Sequence, residues 1–227
     1  MIRIITTLLV ICTLTASAGA KDVSIGPVVL SLTPPPDHCE LEAGEPADAP
    51  LIEAVEKALG DSGNRLLAMS ADCNELHQMR AGERRLLDSF AQFQTLVGLE
   101  AAPPLSAPQG VIGHACRLTR ERNGEIAGEA DASERLAAAE NAIQPGETRY
   151  LGVLAQEPLA CYGALLQRFK TQIGSDRMQV GVYATAAIRG KIIYHYLYAA
   201  TISGGKLTTL LEQQKAAIRR LRAANPD

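Results

Sequence analysis

The chain has 227 residues, a formal net charge of −3 and 47% apolar residues, with no tryptophan. That is enough sequence for one domain with a sizeable core, since domains commonly hold ~100–200 residues. A mildly acidic chain without a basic tract argues against nucleic acid and anionic membrane surfaces as partners.

The first residues have the three parts of an export signal. Arg3 supplies a positive charge, and Ile4 to Leu14 form an apolar run broken only by Thr6, Thr7 and Thr13. The small residues Ala16 to Ala20 follow, which places a cleavage site after Ala20, before Lys21. The run is shorter than the ~20 apolar residues of a spanning helix, and no basic stop-transfer cluster follows it. Cys12 is preceded by Ile11, which does not suit lipidation. The expectation is a signal peptide over 1–20 and a single exported domain over 21–227, in a bacterial periplasm or secreted. The most apolar later stretch, Met178 to Ile202, carries Arg189, Lys191 and His195, so no transmembrane anchor is expected after cleavage.

Val23 to Leu32 alternates as a strand and is ended by Pro34-Pro35-Pro36. Glu40 to Pro50 reads as a loop. Asp48 is placed to cap a helix with Leu51, Ile52, Val55 and Leu59 on one face, stopped by Gly60. Arg65 to Ala71 is a short apolar run with strand character, and Asn74 to Leu87 has a helical pattern. The Pro- and Gly-rich stretch Glu100 to Asp131 reads as an irregular connection with a short strand at Val111 to Leu118. Asp131 and Glu134 stand at capping-box spacing before an Ala-rich helix from Arg135 to Ile143, and Pro145-Gly146 ends it. Leu159, Tyr162, Leu166, Phe169 and Ile173 fit a helical period.

Met178 to Ile188 and Lys191 to Ala199 flank Arg189-Gly190, a two-residue hairpin turn. Alternation puts Val180, Val182, Ala184, Ile193, His195 and Leu197 on one face. Tyr183, Tyr194, Tyr196 and Tyr198 fall on the other. After Gly204-Gly205 an amphipathic helix carries Leu207, Leu210, Leu211, Ile218 and Leu221, and Asn225-Pro226 ends it. These elements predict an α+β fold, a sheet with helices packed on it.

Outside the apolar run four cysteines remain: Cys39, Cys73, Cys116 and Cys161. In an oxidising compartment an even number implies two disulfides with three possible connectivities. Pairing in chain order closes two moderate loops and is preferred. The alternative is a metal site using His38, Cys39, His114 and Cys116, but the pair spacings of zinc sites are missing.

Several short motifs together resemble a group of exported proteobacterial proteins. They are Pro36-Asp37-His38-Cys39, Ala71-Asp72-Cys73-Asn74-Glu75-Leu76 with Arg80, Ile188-Arg189-Gly190-Lys191 before Tyr196-Leu197-Tyr198, and Ala223-Ala224-Asn225. The layout is similar to the PsbP/Mog1-like α/β/α sandwich, in which helices cover both faces of an antiparallel sheet. The resemblance implies strand instead of helix at Leu159 to Phe169, and an accessory or binding role instead of catalysis. It carries no catalytic residue.

Other motifs have plain structural readings. Gly60-Asp61-Ser62-Gly63 matches the tetrad around a serine-protease nucleophile, yet it follows a helix directly and reads as its stop. Cys73 and His77 have the spacing of a thiol–imidazole pair on a helix, which a disulfide would silence. Asp72 and Arg80 read as a structural ion pair. Gly204-Gly205-Lys206 lacks the remainder of a phosphate loop. The tyrosine stripe is a candidate binding surface, because tyrosine joins apolar area to a polar tip; burial under helices is the preferred reading. No catalytic, cofactor or metal residue is assigned. The expected role is a non-catalytic, disulfide-stabilised binding or accessory protein with a protein or small-molecule partner. A secreted hydrolase with a scattered site, or a metal-binding protein, is the alternative.

Overall fold

A computed structural model describes residues 20–170, 174 and 176–226. The export signal expected over 1–20 therefore lies outside the described residues, apart from Ala20.

The protein is α+β. Seven antiparallel strands run in the order β3-β4-β5-β9-β8-β7-β6: β3 (His38–Glu40), β4 (Asn64–Asp72), β5 (Ser89–Leu96), β6 (Thr148–Glu157), β7 (Ala160–Lys170), β8 (Asp176–Ile188) and β9 (Lys191–Ala199). One face carries α5 (Glu129–Ala142) and α6 (Gly204–Ala224). Leu136, Leu207, Leu210 and Ile218 pack there on Val180, Val182, Ile193 and Leu197. The opposite face carries α1 (Ala49–Gly60) over Met69 and Phe90, and α4 (Pro108–Asn123) over Val153, Cys161 and Ala187. Helices thus cover an antiparallel sheet from both sides. Among the described residues no helix is long and apolar enough to cross a membrane.

The β8–β9 hairpin forms as its sequence predicts. Arg189 and Gly190 have φ of 46° and 70°, the two positive values of a type I′ turn. The expected strand Val23 to Leu32 is instead a second hairpin, β1 (Lys21–Ile25) and β2 (Val28–Leu32). Gly26 turns it at φ +56°, and a Cβ there would lie 2.1 Å from the Glu100 carbonyl oxygen. Asn225 ties this hairpin to the end of α6, accepting from the Ser31 N–H at 2.7 Å and donating to its carbonyl at 2.8 Å.

Six further expectations are corrected. Val111 to Leu118 is helix within α4: Pro108 starts it, and Ile112 and Cys116 at i, i+4 are the residues it buries. Leu159 to Phe169 falls in β7 over Ala160–Lys170, as the resemblance implied and the helical period did not. A central strand buried on both faces loses the two-residue alternation that would mark it. The helix from Asn74 to Leu87 stops at Arg80, making α2 (Cys73–Arg80), with Gly82 in the turn that follows. Asp48 stands before α1 without capping it. Its buried carboxylate accepts from the Glu42 N–H at 2.9 Å and pairs with Arg80 at 2.5 Å. Arg80 is thus taken from Asp72, whose side chain caps α2 by accepting from Asn74 and Glu75. At α5 the cap residue is Gly128, and Asp131 accepts from the Ala127 N–H while pairing with Arg135.

The disulfides follow chain order, Cys39–Cys73 and Cys116–Cys161. The first, half-buried, fastens edge strand β3 to the start of α2; the second, buried, fastens α4 to β7.

Candidate functional site

The tyrosine face is where the sheet is incompletely covered. Pairing across the sheet aligns Gln92 with Tyr196, Phe90 with Tyr198, and Tyr183 with Tyr196. The aromatic rings form a continuous ladder. Phe90 stacks on Tyr198 at 4.7 Å, Tyr198 on Tyr196 at 5.9 Å, Tyr196 lies 5.9 Å from Tyr183, and Tyr183 meets Tyr150 edge-on at 5.7 Å. The ladder runs from the interior to an exposed ring, Tyr150. Two glycines make room for it: a Cβ on Gly181 would lie 2.9 Å from the Tyr198 ring, and one on Gly163 would lie within 2.4 Å of the Tyr183 hydroxyl.

Tyr183 and Tyr198 are buried, and Tyr194 and Tyr196 are half-buried. Burial in apolar surroundings pushes the Tyr183 phenol up to about 12 and raises those of Tyr194, Tyr196 and Tyr198 as well. They stay neutral at physiological pH and act as apolar surface with hydrogen-bonding tips.

Between α1 and this face lies an open groove of about 670 Å³. One wall is the apolar side of α1, with Leu51, Val55 and Leu59. None of the residues of α1 is buried, so its apolar stripe is turned to the groove without being sealed by packing. The floor combines Met69, Phe90 and Tyr198 with the amides of Gln92, Gln94, Gln167 and Gln179. The Gln94 amide donates to Gln92 at 2.9 Å, and the Gln179 amide donates to Gln167 at 2.8 Å, which in turn donates to Thr148 at 3.1 Å. Cations gather among the lining residues, with Arg85, Arg168, Lys170 and Arg177 against a single carboxylate, Glu147. Arg168 is held by Asp176, and Arg177 by Asp88 and the Leu87 carbonyl. Glu147 is engaged by the Gln144 N–H and Arg149, which lower its carboxyl below the usual range. Arg85 and Lys170 are exposed, and neither has an ion-pair partner among the described residues.

Chemistry-bearing residues do not converge here. No histidine, cysteine or serine lines the groove among the described residues. Ser62 of the protease-like tetrad donates to the Leu59 carbonyl at 2.9 Å as part of the turn ending α1. Cys73 is in a disulfide and His77 is exposed on α2. The four residues of the metal alternative are split between β3 and α4, both cysteines being bridged elsewhere. Among the described residues no group of three or more metal-ligating side chains comes together. Ser203 caps α6 by accepting from the Lys206 N–H, so Gly204-Gly205-Lys206 is a helix start. His195 sits on the opposite face, fully buried and stacked on Phe93 at 4.1 Å. Burial lowers its pKa to about 3.

Of the four tyrosines that the sequence singles out, Tyr198 lines the groove and Tyr183, Tyr194 and Tyr196 do not, and the groove itself was missed. Its floor comes from β4, β5, β7, β8 and β9, and β5 was assigned no element. The available signal was the two-residue spacing of Phe90, Gln92 and Gln94, and of Gln167 and Phe169. No known protein family, curated protein or solved structure matches the chain.

Proposed function

We propose that this is an exported, non-catalytic binding protein whose ligand seats in the groove between α1 and the tyrosine face. The observation that carries the reading is the groove itself. It is open, apolar on one wall and hydrogen-bonding on its floor, and of a size within the ~300–1,000 Å³ of small-ligand sites. A hydrolase site would gather a nucleophile, a base and an oxyanion-stabilising group in one place, and the groove offers no such set. Export is supported by the tripartite N-terminus and by two disulfides, which persist in oxidising compartments. The kinship with the PsbP/Mog1-like sandwich is part of the same proposal. Its supports are the short motifs described above and helices on both faces of an antiparallel sheet.

The test uses a neutral fluorescent probe, 1-aminoanthracene, with wild type and Val55→Trp. Val55 stands in the wall of the groove, and the larger ring narrows it. The variant is expected to keep its thermal midpoint and lose most of the probe signal. The introduced indole is the protein's only tryptophan, so its emission also reports whether position 55 is dry. Unchanged probe binding in a folded Val55→Trp protein refutes the groove as the site.

A further inference from the structure

We infer that the groove's ligand is a short apolar peptide ending in a free carboxylate, captured at that carboxylate by Arg85. The inference rests on the groove being the binding site and adds the class of ligand. Three observations converge on it. The first is the wall: Leu51, Val55 and Leu59 follow one another at i, i+4 and i+8, an apolar stripe long enough for successive side chains. The second is a donor in the floor. Gln92 is 6% exposed, and its oxygen is occupied by the Gln94 amide. Its own N–H₂ group has no hydrogen-bond partner among the described residues, and Gln92 belongs to the groove lining. A plain hydrocarbon chain laid over that amide would strand a buried donor, a loss worth about tenfold in affinity. A peptide carbonyl satisfies it while directing side chains at α1.

The third observation is charge. The protein as a whole is acidic, yet cations predominate in the lining of this groove. Arg168 and Arg177 are already neutralised by Asp176 and Asp88, which leaves Lys170 and Arg85 as the lining cations with no ion pair among the described residues, and Arg85 is the guanidinium of the two. Its planar fork matches a carboxylate.

The experiment is calorimetry with N-acetyl-Leu-Phe-Leu as the free acid and as the C-terminal amide, with decanoate as a third ligand. The acid is expected to bind about tenfold or more tighter than the amide, the range of a charge-assisted hydrogen-bond pair. Arg85→Gln should bring the acid down to the affinity of the amide and leave the amide unchanged. Because Arg85 is exposed, the variant is expected to melt with wild type. Gln92→Met should weaken both peptides alike. Equal binding of acid and amide overturns the carboxylate assignment. Tighter binding of decanoate than of the peptide acid overturns the peptide assignment in favour of an aliphatic acid. Loss of both peptides with 1-aminoanthracene still bound also overturns it while leaving the groove as the site. Failure of the probe as well means that the groove reading itself is wrong.

Discussion

Removing the Cys116–Cys161 bridge tests how α4 is held on the sheet. The helix α4 buries only Ile112 and Cys116, so one of its two anchors is the disulfide itself. The bridge closes a 45-residue separation, for which the chain-entropy relation gives about 4 kcal/mol. For a domain of this size each kcal/mol moves the thermal midpoint by roughly 2–4 °C. Cys116→Ala/Cys161→Ala should therefore melt about 8–16 °C lower than wild type, and proteolysis should open first within residues 108–123. The Cys39–Cys73 bridge closes a 34-residue separation, worth nearly the same, about 3.8 kcal/mol, by the same relation. Urea titrations of both double variants, each with the other bridge intact, measure the two costs side by side. Losses below about 1 kcal/mol for Cys116→Ala/Cys161→Ala would refute the reasoning, since neither chain entropy nor anchoring of α4 would then operate. A dithiothreitol series should also reduce the half-buried Cys39–Cys73 before the buried Cys116–Cys161.

His195 makes the fold acid-sensitive. Its folded pKa of about 3 lies below the ordinary value near 6.5, so an unfolded chain takes up a proton that the folded one refuses. Stability from this group is present in full above pH 6.5 and falls by about 1.4 kcal/mol per pH unit as pH drops towards 3. Between pH 7 and pH 5, wild type should lose about 2 kcal/mol more than His195→Phe in urea titrations; equal losses would show that His195 does not titrate in this way. At Gly181 the added methyl of Gly181→Ala meets the Tyr198 ring at 2.9 Å, and a cost of about 1–3 kcal/mol is expected from overpacking. A thermal melt unchanged from wild type would mean that the ring shifts freely and that the ladder is not tightly seated.

The parts of the fold that the sequence determined are those governed by local chemistry. The β8–β9 hairpin has a turn whose two positive φ values suit Arg189-Gly190, and flanking strands whose alternation sorts tyrosines from aliphatics. The amphipathic runs of α1 and α6 were legible for the same reason, whereas the chain-order pairing of the four cysteines was a preference among three connectivities that the fold decided. Tertiary structure decided the remainder. Val111 to Leu118 reads as a short strand within a Pro- and Gly-rich stretch, but Pro108 and the bridge at Cys116 fix it as a helix with Val111 and Leu118 exposed. Strand β7 is buried along most of its length, so the hydrophobic pattern could not separate it from a helix. Asp48 and Arg80, 32 residues apart, found each other because a buried carboxylate needs a counter-charge wherever the fold brings one. The groove is the furthest from sequence. Its wall, floor and cationic lining come from α1, from strands β4 to β9 and from the segment between α2 and β5, and only the antiparallel order of the sheet places Gln92, Tyr198 and Gln179 beneath one helix.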